Sequence, residues 1–169
     1  MCVCYIRYML VDSYILPECI ARPGSFGGLM ALYEANYIKL VQLVPQLQTC
    51  EGSHVSRVPG DTDLHLQIEK RSKYTCELRL TYLFPEDDGI VADPDLVARV
   101  YFDARMAEVK SWINGERHEL LRYLGRQLGQ ELGLCWSRNI VFSKWLEYLH
   151  DRGHGFSAAP APGVLSLSD

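Results

Sequence analysis

The sequence lacks an excess of positive charge, with a formal net charge of −4 over 169 residues. Its lysines and arginines are scattered among acids, and no basic stripe marks a surface for a phosphate backbone. We therefore expect no nucleic-acid partner. Long apolar runs are also missing, because Arg7, Asp12 and Glu18 interrupt the hydrophobic opening segment. We expect no cleaved export signal, no membrane span and a cytoplasmic location.

The familiar cofactor and catalytic motifs are absent as well. The chain has no G-x-G-x-x-G dinucleotide fingerprint, no G-x-x-x-x-G-K-[ST] phosphate loop and no G-x-S-x-G nucleophile elbow. His118 and Glu119 begin like a zinc-protease motif, but Arg122 stands where the second histidine is required. Whether the protein is an enzyme is therefore left open, and the absence of these motifs favours a protein without enzymatic activity.

Metal-binding patterns are sparse. The six cysteines lack the regular spacing of a disulfide scaffold, and the close pair Cys2 and Cys4 lacks the further ligands of a tetrahedral zinc site. His65 and His154 have no second ligand at metal spacing, and the pattern indicates ordinary surface histidines. We expect no metal and no cofactor.

The apolar pattern indicates helices flanking a run of strands. A helical stripe begins at Leu29, after the breaker cluster at 23–28, and ends near Pro45. Asn36 falls within this stripe, where a buried amide needs partners. A short strand is expected at 54–58, followed by a hairpin whose dry face carries alternating apolar residues: Leu64, Leu66, Ile68, Tyr74, Cys76, Leu78, Leu80 and Tyr82. Residues 85–95 are expected to form a solvated acidic loop.

The last hairpin lies within residues 97–112, VARVYFDARMAEVKSW. With a tight turn at Ala104 and Arg105, Tyr101 lies opposite Glu108, and Val100 faces the core. The solvated face of the sheet then carries His65, Glu69, Glu77, Arg79, Arg99, Tyr101, Glu108 and Lys110.

The C-terminal third predicts further helix. Residues 116–134 place leucines at helical spacing beside a row of glycines, and the role of this stretch stays open. A final helix is expected to start near Ser137 or Asn139, to bury Trp145 and to stop at Gly153. The fold class is α+β: an antiparallel sheet of about five strands, a meander of hairpins, with an N-terminal helix and one or two C-terminal helices on one face. Residues 28–153 form this single domain, 1–27 an appended segment that is poorly ordered or partly helical, and 154–169 a disordered tail.

Four stretches together resemble the YqiB-like family, uncharacterised bacterial proteins of unknown function: GLMALYEANYIKLVQLVP at 28–45, KYTCELRL at 73–80, LVARVYFDARMAEV at 96–109 and WSRNIVFSKWLEYL at 136–149. The resemblance implies a small cytoplasmic protein with no assigned reaction, whose family's genes often lie near those of nucleotide-hydrolysing enzymes. The matching positions carry the candidate binding residues: Asn36, Tyr74, Arg99, Tyr101, Asp103, Glu108 and Asn139. Trp145 also matches, and its apolar stripe predicts a core position.

Two functions are compatible with these patterns. One is a non-enzymatic binding or accessory protein with a protein partner. The other is an enzyme or ligand-binding protein for a small anionic metabolite such as a nucleotide, with Arg99 holding the anion and Glu108 or Asp103 acting as base. A homodimer is left open in both cases.

Overall fold

The computed structural model describes residues 25–86, 89–113 and 130–156. In chain order these residues form helix α1 (Phe26–Leu43), strands β1 (Ser53–Ser56), β2 (Leu64–Arg71), β3 (Thr75–Glu86), β4 (Gly89–Tyr101) and β5 (Met106–Ile113), and helix α2 (Gln130–Asp151). Residues 1–24 of the predicted N-terminal segment (1–27), residues 157–169 of the predicted tail (154–169) and most of the Leu/Gly-rich stretch lie outside the described residues.

The five strands form one antiparallel sheet in the order β1-β2-β3-β4-β5, so that each strand pairs with its neighbour in sequence. Both helices pack on the same face, over a core built from the alternate apolar residues of the sheet. This arrangement confirms the α+β class and the meander. Neither described helix is long and apolar enough to cross a bilayer.

Helix α1 starts earlier than the apolar stripe predicts. Ser25 caps the helix, since its hydroxyl accepts a hydrogen bond from the Gly28 amide at 3.1 Å. Phe26, Gly27 and Gly28 therefore form the first turn. The sequence predicts that the cluster at 23–28 interrupts helical structure. The helix nevertheless includes Gly27 and Gly28, because the Ser25 cap stabilises its first turn.

Helix α2 also begins before the predicted start at Ser137 or Asn139, at Gln130. The Ser137 hydroxyl donates to the Gly133 carbonyl at 2.6 Å, which is a bond within a helix and not a cap. Trp145 is 3% exposed and meets the Tyr82 ring edge-on at 5.8 Å, so the predicted core position is confirmed.

The region 85–95 is a hairpin and not the predicted acidic loop. Strand β3 continues to Glu86 and β4 begins at Gly89, with Pro85 opposite Ile90. The pairing shifts between Thr81 and Leu83, which marks an irregularity of the kind that bends a strand. Asp95 consequently belongs to a central strand and is only 4% exposed.

The predicted register of β4 and β5 is wrong by two residues. Tyr101 lies opposite Met106, and Arg99 lies opposite Glu108. A two-residue type I′ turn would need positive φ at both Ala104 and Arg105, but only Arg105 adopts it, at 53°, within a longer turn at 102–105. A shift of two residues preserves the faces, so Val100 and Val109 still point into the core.

Tyr74 and His154 also differ from expectation. Tyr74 precedes β3 and is 52% exposed, because the dry face begins only at Cys76. His154, predicted at the surface, is buried between Ser56 and Tyr82. The segment after α2 folds back onto the core, and the Phe156 amide donates to the Leu43 carbonyl at 2.8 Å.

Candidate functional site

The sheet face opposite the helices is polar, and we call it the polar face. Antiparallel pairing places on it the alternate residues of each strand. These residues include His65, Gln67 and Glu69 on β2, Glu77, Arg79 and Thr81 on β3, Asp95, Arg99 and Tyr101 on β4, and Glu108 and Lys110 on β5.

Three cationic side chains of the polar face surround the carboxylate of Glu77. Oε1 of Glu77 accepts from Lys110 Nζ at 2.8 Å and from Arg99 Nε at 3.0 Å, with Arg99 Nη2 also donating to it. Lys70 Nζ lies 4.0 Å from Oε2 of the same carboxylate. We call Lys70, Glu77, Arg99 and Lys110 the cation cluster.

Electrostatics within the cation cluster favour the charged forms. The hydrogen bonds from Lys110 and Arg99 lower the pKa of Glu77 from its ordinary value of 4.5 to about 2. Glu77 in turn raises the pKa of Arg99. Three positive charges against one negative charge leave the cluster with a net positive charge.

Tyr101 and Glu108 extend this network. The Tyr101 hydroxyl donates to Glu108 Oε1 at 2.7 Å, and the Arg99 guanidinium faces the same hydroxyl. Burial raises the pKa of Tyr101, and the Glu108 hydrogen bond adds to the shift. Tyr33 of α1 approaches Glu108 from the helical side, and burial with Cys135 and Glu108 raises its pKa as well. The structure therefore brings Arg99, Tyr101 and Glu108 together.

Asn36 and Asn139 lie elsewhere, between the two helices and β5. Asn36 Nδ2 donates to the Asn139 carbonyl and to its Oδ1, each at 3.3 Å. Asn139 Oδ1 also accepts from the Val109 amide at 3.0 Å, and Asn139 Nδ2 donates to the Cys135 carbonyl at 2.9 Å. Both side chains are fully buried, so these contacts fasten the helices to the edge of the sheet.

Tyr74 and Asp103 occupy two neighbouring turns at one end of the sheet. The Phe102 amide donates to the Tyr74 carbonyl at 2.9 Å, which joins the turns. The Tyr74 ring is exposed, with Lys73 Nζ 4.9 Å from its centroid, and Asp103 is exposed in the turn after β4. No described contact joins Asp103 to Tyr101 or to the cation cluster, whereas Glu108 shares the Tyr101 hydroxyl with Arg99.

The sequence prediction missed a second polar site, centred on Asp95. Arg79 lies between two acids, with Nε 2.8 Å from Glu69 Oε1 and Nη1 3.3 Å from Asp95 Oδ2. Beside them a cleft of about 260 Å³ opens over β1–β4, and we call it the Asp95 cleft. Its lining comprises Ser53, His54, Val55, His65, Leu66, Gln67, Arg79, Thr81, Leu83, Ala92 and Asp95. Within the described ranges, no group of three or more His, Cys, Asp or Glu side chains could hold a metal ion.

A third polar cluster was also missed, and it joins α2 to the β1–β2 connection. Arg152 Nε donates to Asp61 Oδ2 at 2.8 Å, and His154 Nε2 lies 3.5 Å from the same oxygen. Burial lowers the pKa of His154, although Asp61 opposes the shift. These contacts hold the segment that follows α2 against the β1–β2 connection.

The fold and these sites define a one-sided antiparallel α+β domain with a charged open face. The chain matches the family described as "Protein of unknown function (DUF1249)" over residues 39–155, which is more than half of its length, and it belongs to that family. The matched range contains all five strands and α2. Searches of curated proteins and of solved structures returned no match.

Proposed function

We propose that this protein is a small, non-enzymatic cytoplasmic binding or accessory protein whose polar face holds an anionic group of its partner. The observation that carries the proposal is the cation cluster. Three cations gather around the single carboxylate of Glu77, and about a third of the Arg99 and Lys110 side chains stays exposed, at 34% and 36%.

The cluster is suited to an anion because its donors are prearranged. A guanidinium has five N–H donors, and Glu77 engages those of Nε and Nη2. Glu77 also fixes the two cations side by side, so an incoming phosphate or carboxylate meets donors that have already lost much of their side-chain freedom. Lys70, 79% exposed, can adapt to ligands of different size.

The test is a thermal-shift screen of the purified chain against nucleotides and other anionic metabolites, with inorganic tripolyphosphate as a simple probe. A ligand at 100 times its Kd should add about 2.7 kcal/mol to the free energy of unfolding. Arg99→Ala and Lys110→Ala should remove the shift. Arg57→Ala is the matched control, because Arg57 forms an exposed ion pair with Asp63 outside the strands.

Two outcomes would change the proposal. If no anion shifts the wild-type protein, or if Arg99→Ala responds as the wild type does, the cation cluster is not the binding site. If a ligand binds and is then converted, the alternative of an enzyme acting on a small anionic metabolite replaces it. Arg99 would then hold the anion, and Glu108→Gln should abolish turnover while Asp103→Asn should not.

A further inference from the structure

The two edges of the sheet differ in how they are covered. At the β5 edge, the Val109 amide donates to Asn139 Oδ1 at 3.0 Å. The Lys110 carbonyl accepts from Arg138 Nη1 at 3.2 Å, so α2 occupies backbone groups with which another strand could pair. At the opposite edge, β1 (Ser53–Ser56) has no neighbour on its outer side among the described residues. It carries neither a charged residue nor a proline, and its short length is the device that limits further pairing.

The backbone groups of Ser53 and Val55 point outward at this edge. The Ile68 amide donates to the Gly52 carbonyl at 2.8 Å, and these two residues lie opposite each other when the register of β1 and β2 is continued. Hydrogen bonds alternate along an antiparallel pair, so the even-numbered residues of β1 bond to β2 while Ser53 and Val55 face away from it. Each of the two therefore presents an N–H donor and a C=O acceptor to a further strand.

The side chains of the same two residues line the Asp95 cleft. Val55, Leu83 and Ala92 form its apolar wall, and Ser53 lies beside them. Val55 is 38% exposed, so this wall is open to solvent. A strand added to β1 would place alternate side chains beside Val55 on this face, and aliphatic residues at those positions would bury apolar surface.

The chain itself contains a segment with this pattern. The described residues end at Phe156, and the Gly155 amide donates to Ser56 Oγ at 3.1 Å, so residues 157–169 follow from a point beside β1. Their sequence is SAAPAPGVLSLSD, in which the last leucines alternate with serines as in a half-buried strand. The composition predicts disorder for this segment in isolation, and such segments can become ordered on an open edge.

The connection is long enough to reach the edge. The seven residues 157–163 span up to about 23 Å when extended, whereas the four residues of β1 cover about 13 Å. Pro162 and Gly163 form a dipeptide typical of turns, which favours a reversal before Val164. The tether also holds the segment at an effective concentration of about 1 mM, so that even a weak pairing is populated.

We infer that residues 164–167 add to β1 as an antiparallel strand at the edge of the sheet. Leu165 lies opposite Val55 and Leu167 opposite Ser53, so that these pairs exchange backbone hydrogen bonds. Both leucines then cover the apolar wall of the Asp95 cleft, whereas a shift by one residue would place serines there. The occupant of the edge is the protein's own C-terminal segment, and this surface shares no residue with the cation cluster.

The test is amide hydrogen exchange of the full chain, followed by NMR. The Ser53 and Val55 amides should exchange at least about tenfold more slowly than unpaired amides, because the added strand accepts their hydrogen bonds. This protection should be independent of protein concentration, since the pairing lies within one chain. The His54 amide bonds to β2 and should be protected in every variant, so it reports that the domain is folded.

Two proline variants form a matched pair. Leu165→Pro removes the N–H that donates to the Val55 carbonyl and should return the Ser53 and Val55 amides to fast exchange. Ser166→Pro removes an N–H that faces away from β1 and should retain the protection. Arg99→Ala should retain it as well, so the result is independent of the anion screen.

Four results would overturn the inference. The first is fast exchange of the Ser53 and Val55 amides in the wild type, and the second is unchanged protection in Leu165→Pro. The third is an equal loss of protection in Ser166→Pro and Leu165→Pro. The fourth is protection that disappears on dilution, which would assign the edge to a second copy of the chain.

Discussion

Glu77→Gln should make the protein less stable at neutral pH and should remove part of its acid sensitivity. The substitution keeps the shape of the side chain but removes the charge on which Arg99 and Lys110 converge. Both cations would then lie near each other without their shared carboxylate. The expected loss follows from the pKa of Glu77.

That pKa lies at about 2 in the folded protein and at 4.5 in the unfolded reference, a difference that corresponds to about 3 kcal/mol at 1.36 kcal/mol per unit. The partners of Glu77 are partly exposed, and solvent screening reduces the effect to about 1–2 kcal/mol. Because the folded-state pKa is lowered, the unfolded chain binds the proton first as the pH falls. The contribution of Glu77 is therefore complete above about pH 5 and disappears as the pH approaches 2.

Urea denaturation of the wild type and of Glu77→Gln at pH 7, 5 and 3 measures this difference. The gap in the free energy of unfolding should be about 1–2 kcal/mol at pH 7 and should narrow at pH 3. Glu34→Gln, on the exposed side of α1, is the control and should change stability by less than about 0.5 kcal/mol. A gap that is constant across this pH range would refute the electrostatic reasoning, and no gap at pH 7 would show that the cluster does not stabilise the fold.

Three further predictions concern the core. Trp145→Ala should cost about 3–5 kcal/mol in thermal or urea unfolding, and an equally stable variant would contradict its core role. Asn139→Ala should cost about 1–3 kcal/mol, and more than Asn36→Ala, because only Asn139 satisfies the Val109 amide. Burial lowers the pKa of His154, so its contribution is present above about pH 6.5 and is lost as the pH falls. His154→Gln should therefore flatten the stability profile between pH 7 and 5, and an unchanged slope would exclude this histidine.

The fold was largely predictable because one face of the sheet is dry. The alternation of apolar and polar residues from Cys76 to Tyr82 and the apolar stripe of α1 both indicate burial on one side. These patterns predict the buried face correctly even where a turn is assigned to the wrong residues. The register of β4 and β5 shows this: the turn was misassigned, but a two-residue shift left Val100 and Val109 in the core.

The sites were less predictable because they depend on how strands align. Arg99, Tyr101 and Glu108 could be grouped from the sequence because they lie on one hairpin. The ion pair of Arg99 with Glu77 could not be predicted, because it depends on how β3 pairs with β4. Asp95 lies in a stretch rich in Asp and Pro, which is a composition typical of loops. The local sequence predicts neither the burial of Asp95 nor its contact with Arg79.

The meander topology also determines the order in which the contacts of the fold can form. Every strand pair joins neighbours in the chain, so the sheet can assemble from local contacts. The Asn36–Asn139 bond, in contrast, spans 103 residues and must wait for α2. During synthesis on the ribosome the apolar face of the sheet is complete before its second helix has emerged. We therefore expect the nascent chain to expose its most aggregation-prone surface in the interval between the synthesis of β5 and that of α2.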